Sequence, residues 1–479
     1  MKATNSILQF LLRSLVPLLL SLSASAQADY YIGDTIELNT IGSQNADHAA
    51  IAVNRFGDVI IANHVNVGST AKATELNTLV PLGNTLNAGF KLFNTSRLGD
   101  PTLNIFGVGN DSCSKPDVEN LGNGSFLVVW SRHDLSGNQP SRIEACKVIT
   151  RDIYGDILPQ AQIITTRTGE GIIVDNTSNA GDAGFMPDIA SVKIPGSAKA
   201  IIVFAHEDEI VSSANNTFRD YSLLGKKINW PRGSSSPNFG PLVTLETHIT
   251  FDNPINTQYA GGMVLPDAVI DDGGNLVVVY ESYLISPHHW HFGAPLGSIH
   301  IRRYSEDLLL LDEIELVGNN RERNQRRPMI ATSDGDATNI LTLGWNEVSA
   351  SNAAVHRSHF RSVIFNESTS GYDTPQVIPW DESFGSEDDL ATVAMSGRAR
   401  IIMAARRLPN RNSLTGAFKS ILEPPTTKDF TPNHNSPWRP AIVVYDLPNS
   451  RSIAYLSFEG PSANDPSLDR VYLTIQRLR

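Results

Sequence analysis

The chain has 479 residues, 41% of them hydrophobic and only 18% charged, with 35 glycines and 27 prolines. Its formal net charge of −12 argues against nucleic acid as a bulk partner. No sustained apolar stripe of helical period appears, so the composition is that of an all-β chain.

The first segment is not part of the fold. Lys2 and Arg13 flank an apolar stretch that peaks from Leu15 to Leu22, and Ala24-Ser25-Ala26 forms an A-x-A cleavage site. This predicts a secretory signal peptide over residues 1–26. No later run is long enough to span a bilayer. The mature chain, 27–479, is expected to be exported to the periplasm or the medium with no membrane span.

Next comes YYIGDTIELNT (Tyr30 to Thr40), a solitary strand-like stretch, and after it a phrase that recurs seven times. Its clearest copies are SKPDVENLGNGSFLVVWSR around Pro116 and VLPDAVIDDGGNLVVVYES around Pro266. Looser copies start at Ala46, Phe185, Arg326, Ser386 and Trp438. Each is a short apolar strand, a Gly/Asp/Asn turn and a run of apolar β-formers, which is a hairpin written in sequence. A second pair of strand-like stretches follows each hairpin, as in IEACKVITRD with YGDILPQAQIITTR, so each unit reads as four antiparallel strands, A to D.

The last unit supplies only a third strand, DRVYLTIQRLR, before the chain stops at Arg479. Its missing fourth strand is expected to be the N-terminal stretch, since a ring whose ends share one blade removes both exposed sheet edges. The fold class predicted is therefore all-β: a single seven-bladed β-propeller of four-stranded antiparallel blades over 27–479, closed by an N-terminal strand completing the last blade.

Both cysteines, Cys113 and Cys146, fall in the second unit. An even count in an exported protein predicts a disulfide. Geometry pulls the other way, because strands A and C of a flat blade lie about 10 Å apart. The two meet only if the D–A loop folds over the blade.

Residues just before strand A and just after strand B emerge on one face. Aligning the B strands puts Asn63, Trp130, Phe204, Tyr280, Trp345 and Phe458 in one column of packing residues, with Ala405 the exception. The next two columns stop being uniform: His64, Ser131, Ala205, Glu281, Asn346, Arg406 and Glu459, then Val65, Arg132, His206, Ser282, Glu347, Arg407 and Gly460. A structural role favours similar residues across units, so this diversity marks where a site would be built. His48, His64, His133, His206 and Tyr283 are the candidate catalytic residues on that face. Arg132, Trp290, Arg321, Arg323, Arg326, Arg406 and Arg407 are the candidate substrate-binding residues, the arginines forming a positive patch in an acidic protein.

Each cluster also has a structural reading. A lone histidine at a strand end is more often hydrogen-bonded than catalytic, and an arginine-rich loop is often a solvated face. His288, His289 and His291 are weak candidates to hold a transition metal, though adjacent histidines on an extended loop point apart. A structural calcium or zinc ion is the one cofactor left open. No G-x-S-x-G elbow and no cysteine–histidine pair is present, and Ser333 opens SDGDATNILTLGW, which lacks the terms of a sialidase box. Glu281, Glu347 and Glu459 are available for glycoside hydrolysis, but nothing pairs two of them.

The unit PDV…GNGSFLVVW…RIEACKVITRDIYGDIL resembles a repeat of exported bacterial propellers, and the resemblance covers nearly the whole mature chain. A narrower stretch, DHAAIAVNRFGDVIIANH, looks like the histidine-flanked blade of propeller polysaccharide lyases of the ulvan-lyase type. In that likeness His48 and His64 match the two histidines lining a groove. It implies an acidic polysaccharide as partner and β-elimination as the reaction, in which arginine neutralises a uronate carboxylate and histidine or tyrosine moves protons. The alternatives are a non-catalytic glycan- or protein-binding propeller and a glycoside hydrolase.

Overall fold

The computed structural model describes residues 30–38, 46–67, 71–83, 89–98, 111–113, 116–135, 141–165, 171–175, 184–213, 216–253, 266–271, 273–284, 296–316, 323–332, 340–349, 356–366, 371–372, 376–377, 392–395, 400–406, 414–420, 426–429, 438–447 and 452–478. The expected signal peptide lies outside them.

Every strand pairing among the described residues is antiparallel, and these residues contain no helix. β1 (Thr35–Glu37) precedes the first sheet. Sheet 1 holds β2 (Ala46–Val53), β3 (Val59–Val67), β4 (Ala71–Pro81) and β5 (Phe90–Leu98), in that order. Sheet 2 holds β6 (Asp111–Cys113), β7 (Asp117–Asn120), β8 (Phe126–Asp134), β9 (Arg142–Arg151), β10 (Ile157–Ile164) and β11 (Ile172–Asp175); β6 and β7 both pair with β8, and β10 and β11 both pair with β9. Sheet 3 is β12 (Gly184–Ser191), β13 (Lys199–Ser213), β14 (Asn216–Asn229) and β15 (Asn238–Asn253). Sheet 4 is β16 (Asp267–Ile270), β17 (Leu276–Leu284), β18 (Leu296–Tyr304) and β19 (Leu310–Leu316). Sheet 5 runs β20 (Arg323–Thr332), β21 (Ile340–Ser349), β22 (His356–Asn366), β23 (Gly371–Tyr372), with β24 (Gln376–Val377) also on β22. Sheet 6 is β25 (Thr392–Met395), β26 (Arg400–Arg406), β27 (Leu414–Ser420) and β28 (Thr426–Asp429). Sheet 7 joins β29 (Trp438–Asp446), β30 (Ser452–Pro461) and β31 (Asp469–Leu478), and its fourth strand is β1. Thr35 lies opposite Thr474 and Glu37 opposite Tyr472.

The first strands touch in series. β2 packs on β7, β7 on β12, β12 on β16, β16 on β20, β20 on β25, β25 on β29, and β29 on β2. The core lies in the seams between successive sheets, and this explains the long apolar runs of the second strands. In β8, Phe126, Val128 and Trp130 face the core shared with sheet 1, while Leu127 and Val129 face that shared with sheet 3. β17 divides likewise, with Leu276, Val278 and Tyr280 towards sheet 3 and Val277 and Val279 towards sheet 5. A strand buried on both faces cannot alternate with polar residues.

Strand A carries a device the repeat records as its proline. Register slips by one residue between Asp47 and Ala50, Phe185 and Asp188, Arg326 and Met329, and Trp438 and Ala441. In sheet 2 the same slip separates β6 from β7. Pro116, Pro187, Pro328 and Pro440 all fall within these slips, where a missing N–H costs no ladder hydrogen bond. Opposite each slip stands the packing column of Asn63, Trp130, Phe204, Trp345 and Phe458, all buried. The turns fit their glycines: Gly57 and Gly124 have φ of 79° and 83°, and a Cβ on either would meet the Tyr445 or Phe56 ring at 2.9 or 2.7 Å.

The expected disulfide is absent: no bond joins Cys113 and Cys146, both of which are buried. Cys113 pairs with Arg132 on one side of β8, and Cys146 with Val128 on the other. The width of β8 and four residues of its length put them about 16 Å apart by ordinary strand spacings, beyond any disulfide span. Burial pushes the Cys146 thiol far up, which keeps it protonated.

Candidate functional site

The end of each sheet where strand A begins and strand B finishes gathers the residues that differ between repeats. His64 in β3 lies opposite Asp47, and His133 in β8 opposite Ser112. Sheets 1 and 2 meet here: β4 packs on β6, and the Lys72 N–H donates to Ser112 Oγ at 3.2 Å. His64 is 4% exposed.

His133 is held by two hydroxyls. Its Nε2 lies 3.0 Å from Ser131 Oγ and its Nδ1 2.9 Å from Ser141 Oγ. One hydroxyl therefore accepts the ring N–H and the other donates to the bare nitrogen. Burial, and then the neighbouring His64, lower the His133 imidazole to about 4. The ring is neutral near pH 7, and the two histidines of different sheets feel each other across the seam. Both histidines and, in the variable column, Ser131 are visible in the sequence, whereas Ser141 carries no repeat signal.

Arg132, a candidate for substrate binding, is fully buried and faces Glu144 at 3.7 Å. Glu144, also fully buried, accepts from Trp130 Nε1 at 3.1 Å, from the Gly171 N–H at 3.2 Å and from Arg142 Nε at 2.7 Å. Two guanidiniums and two neutral donors thus converge on one buried carboxyl group. The Arg132 guanidinium is spent inside sheet 2.

His206 is half-buried, in a strand that runs on to Ser213 as one arm of a long hairpin rather than ending at the expected loop. Glu281 and Glu459 are buried at matched positions in sheets 4 and 7, 3% and 1% exposed. Arg323 and Arg326, expected in a loop, belong to β20 and lie opposite Ser349 and Asn346. The side chains of those two, and of His48, Tyr283 and Arg406, are outside the described residues. Arg321, Arg407, His288, His289, Trp290 and His291 lie outside them altogether. Among the described residues no group of three or more His, Cys, Asp or Glu is arranged to hold a metal ion, and no helix is long and apolar enough to cross a membrane.

What the fold and this site define is an all-β chain of four-stranded antiparallel sheets with a histidine pair at one end. No family model matches the chain, and no curated protein matches it. Among solved structures it is similar to a Penicillium chrysogenum α-L-arabinanase complexed with arabinobiose, at 10% identity and a TM-score of 0.43, covering 94% of this chain and 98% of that one. A Hadza microbial sialidase, Hz136, is 8% identical with a TM-score of 0.43, covering 91% of this chain and 66% of that one. A Trypanosoma rangeli sialidase is 9% identical with a TM-score of 0.42, covering 83% and 57%. The chain thus spans about two thirds or less of these sialidases' length.

Proposed function

We propose that the protein is an exported, closed seven-bladed β-propeller that acts on an acidic, uronate-bearing polysaccharide by β-elimination, at the end where the B strands finish. The series of contacts from β2 through β29 and back, and the pairing of β1 with β31, support the closed ring. The A-x-A segment at Ala24-Ser25-Ala26 supports export.

The observation that carries the reaction is the His64–His133 couple, with His133 neutral. In the elimination a base takes the proton from C5, the electron pair forms the C4–C5 double bond, and the C4–O4 bond breaks with a proton delivered to the leaving oxygen. An unprotonated imidazole is ready to take that proton. A uronate carboxylate beside the pair brings the negative charge that burial and the second imidazole withhold, and so raises their basicity. With Arg132 committed to Glu144, charge neutralisation falls to Arg323, Arg326, Arg406, Arg321 and Arg407, and Tyr283, His48 and His206 complete the proposed set.

One observation favours a second reading, a propeller that binds glycan without cleaving it: both ring nitrogens of His133 already have serine partners. Incubating the mature protein with a panel of uronate polymers and following the ultraviolet absorbance of unsaturated uronate separates the readings. Elimination gives a rise that His133→Ala abolishes. Retention on immobilised glycan with no product from any polymer sinks the lyase reading and leaves the binding one. New reducing ends without unsaturation would point to hydrolysis through Glu281 or Glu459.

A further inference from the structure

Three aspartates occupy one repeated position, the residue after the strand-A proline: Asp117 in β7, Asp188 in β12 and Asp267 in β16. Each reaches across a seam to the first strand of the next sheet. The Ile189 N–H donates to Asp117 Oδ2 at 2.9 Å, the Ala268 N–H to Asp188 Oδ2 at 2.7 Å and the Ile330 N–H to Asp267 Oδ2 at 2.8 Å. Strand A is the edge of its sheet, and its outward N–H groups have no ladder partner there. The aspartates supply the acceptor and join sheets 2, 3, 4 and 5 in series. The registers put Ala50, Met329 and Ala441 at the same position in sheets 1, 5 and 7, so the device belongs to one arc of the molecule.

The charged groups acting on these carboxyls are acidic. Asp117 feels Glu119 and Asp267, and Asp188 feels Asp117, Asp267 and Glu119. Glu119 has an ion pair with Lys193 at 3.8 Å. Behind the three, β8 turns Arg132 towards Glu144 and His133 towards its serines, and β17 carries the buried Glu281. On the flanking first strands, Asp47 and His48 of β2 and Arg323, Arg326 and Arg327 of β20 have side chains outside the described residues.

We propose that Asp117 and Asp188, with Asp267 beside them, form a pH-responsive seam: protonated, they staple sheets 2 to 4 along their first strands, and ionised, they repel each other and Asp267 and loosen it. Burial first, and Glu119 next, push Asp117 up to about 7; burial and Asp117 raise Asp188 well above the ordinary carboxylate range. A raised folded pKa means that the folded state binds more protons than the unfolded chain. The contribution is therefore complete only below about 3.8, the ordinary carboxyl value, and is lost as pH rises from there through about 7.

Asparagine keeps the acceptor oxygen and imitates the protonated carboxyl at every pH. In thermal melts of the mature chain, Asp117→Asn and Asp188→Asn should come closest to the wild type near pH 4 and melt several degrees above it at about pH 8. Amide hydrogen exchange reads the same seam without substitution: protection of the Ile189 and Ala268 N–H groups in the wild type, corrected for intrinsic rate, should fall over that range. Variants that melt below the wild type by equal amounts at both pH values, or protection that does not change, would make the aspartates plain acceptors and overturn the proposal.

Discussion

Sheets 1 to 3 carry a polar network at each end of their strands, and the two use charge differently. At the turn end, Asp58 is buried and accepts from Thr150 Oγ1 at 2.6 Å, from Asn54 Nδ2 at 3.2 Å and from both Arg151 Nε and Nη2, the latter at 2.7 Å. Arg232 of sheet 3 donates to the Arg151 and Asp152 carbonyls, and Lys147 of sheet 2 donates to those of Pro231, Arg232 and Ser234. Each of these charges meets a partner from a neighbouring sheet. At the opposite end Glu144 keeps its arginines within sheet 2, and His133, which faces His64 across the seam, is neutral. One end fastens sheets together, while the other leaves groups near each other whose charge an incoming anion can change.

The largest test strikes the fastened end. Asp58→Ala strands the Arg151 guanidinium and the Thr150 hydroxyl, and should cost about 3–5 kcal/mol in chemical denaturation while leaving the His133 titration by NMR unmoved. A loss under about 1 kcal/mol would mean that the sheets are held by their seams alone. Next, Lys147→Met keeps the stem over Trp230, which its ammonium overlies at 5.2 Å, but removes one donor from each of the Pro231, Arg232 and Ser234 carbonyls, of which Pro231 keeps the Ser234 N–H and Ser234 keeps Trp230 Nε1. About 2–3 kcal/mol should be lost.

The site end is sharpened by pH. The His133 pKa is depressed on folding, so its contribution is present above 6.5 and is lost as pH falls towards about 4. Because the ring is only half-buried, about 2 kcal/mol is a fair size for this loss, and His133→Gln should remove it and leave the opposing aspartate slope exposed. The slope is opposite to that of the aspartate seam over part of the same range, so the wild-type profile should be flatter than that of either variant. The smallest effect is expected at the exposed pair Lys227–Asp307, 3.2 Å apart, where Asp307→Asn should change stability by less than about 0.5 kcal/mol.

Much of this was legible in the repeat. Strand positions, turn glycines and the use of the N-terminal stretch as a fourth strand beside DRVYLTIQRLR follow from local pattern, because hairpin turns and two-face burial act over few residues. The proline of SKPD and FMPD was also visible, but its meaning as a register slip was not. A slip is a relation between two strands, and only pairing reveals it. Arg323 and Arg326 were misassigned to a loop because charged residues above the slip in β20 look like solvated chain.

That the chain is all-β, that it repeats a four-strand unit, and which positions vary between repeats are written in its residues. Which way the polar groups of those units turn is settled only by packing. Arg132 goes to Glu144, His133 to two serines, Asp117 to the next sheet's backbone, and Cys113 and Cys146 to opposite sides of one strand. Backbone pattern is set by neighbours along the chain, whereas a buried polar group is satisfied by whatever packing brings within hydrogen-bond reach, often tens of residues away.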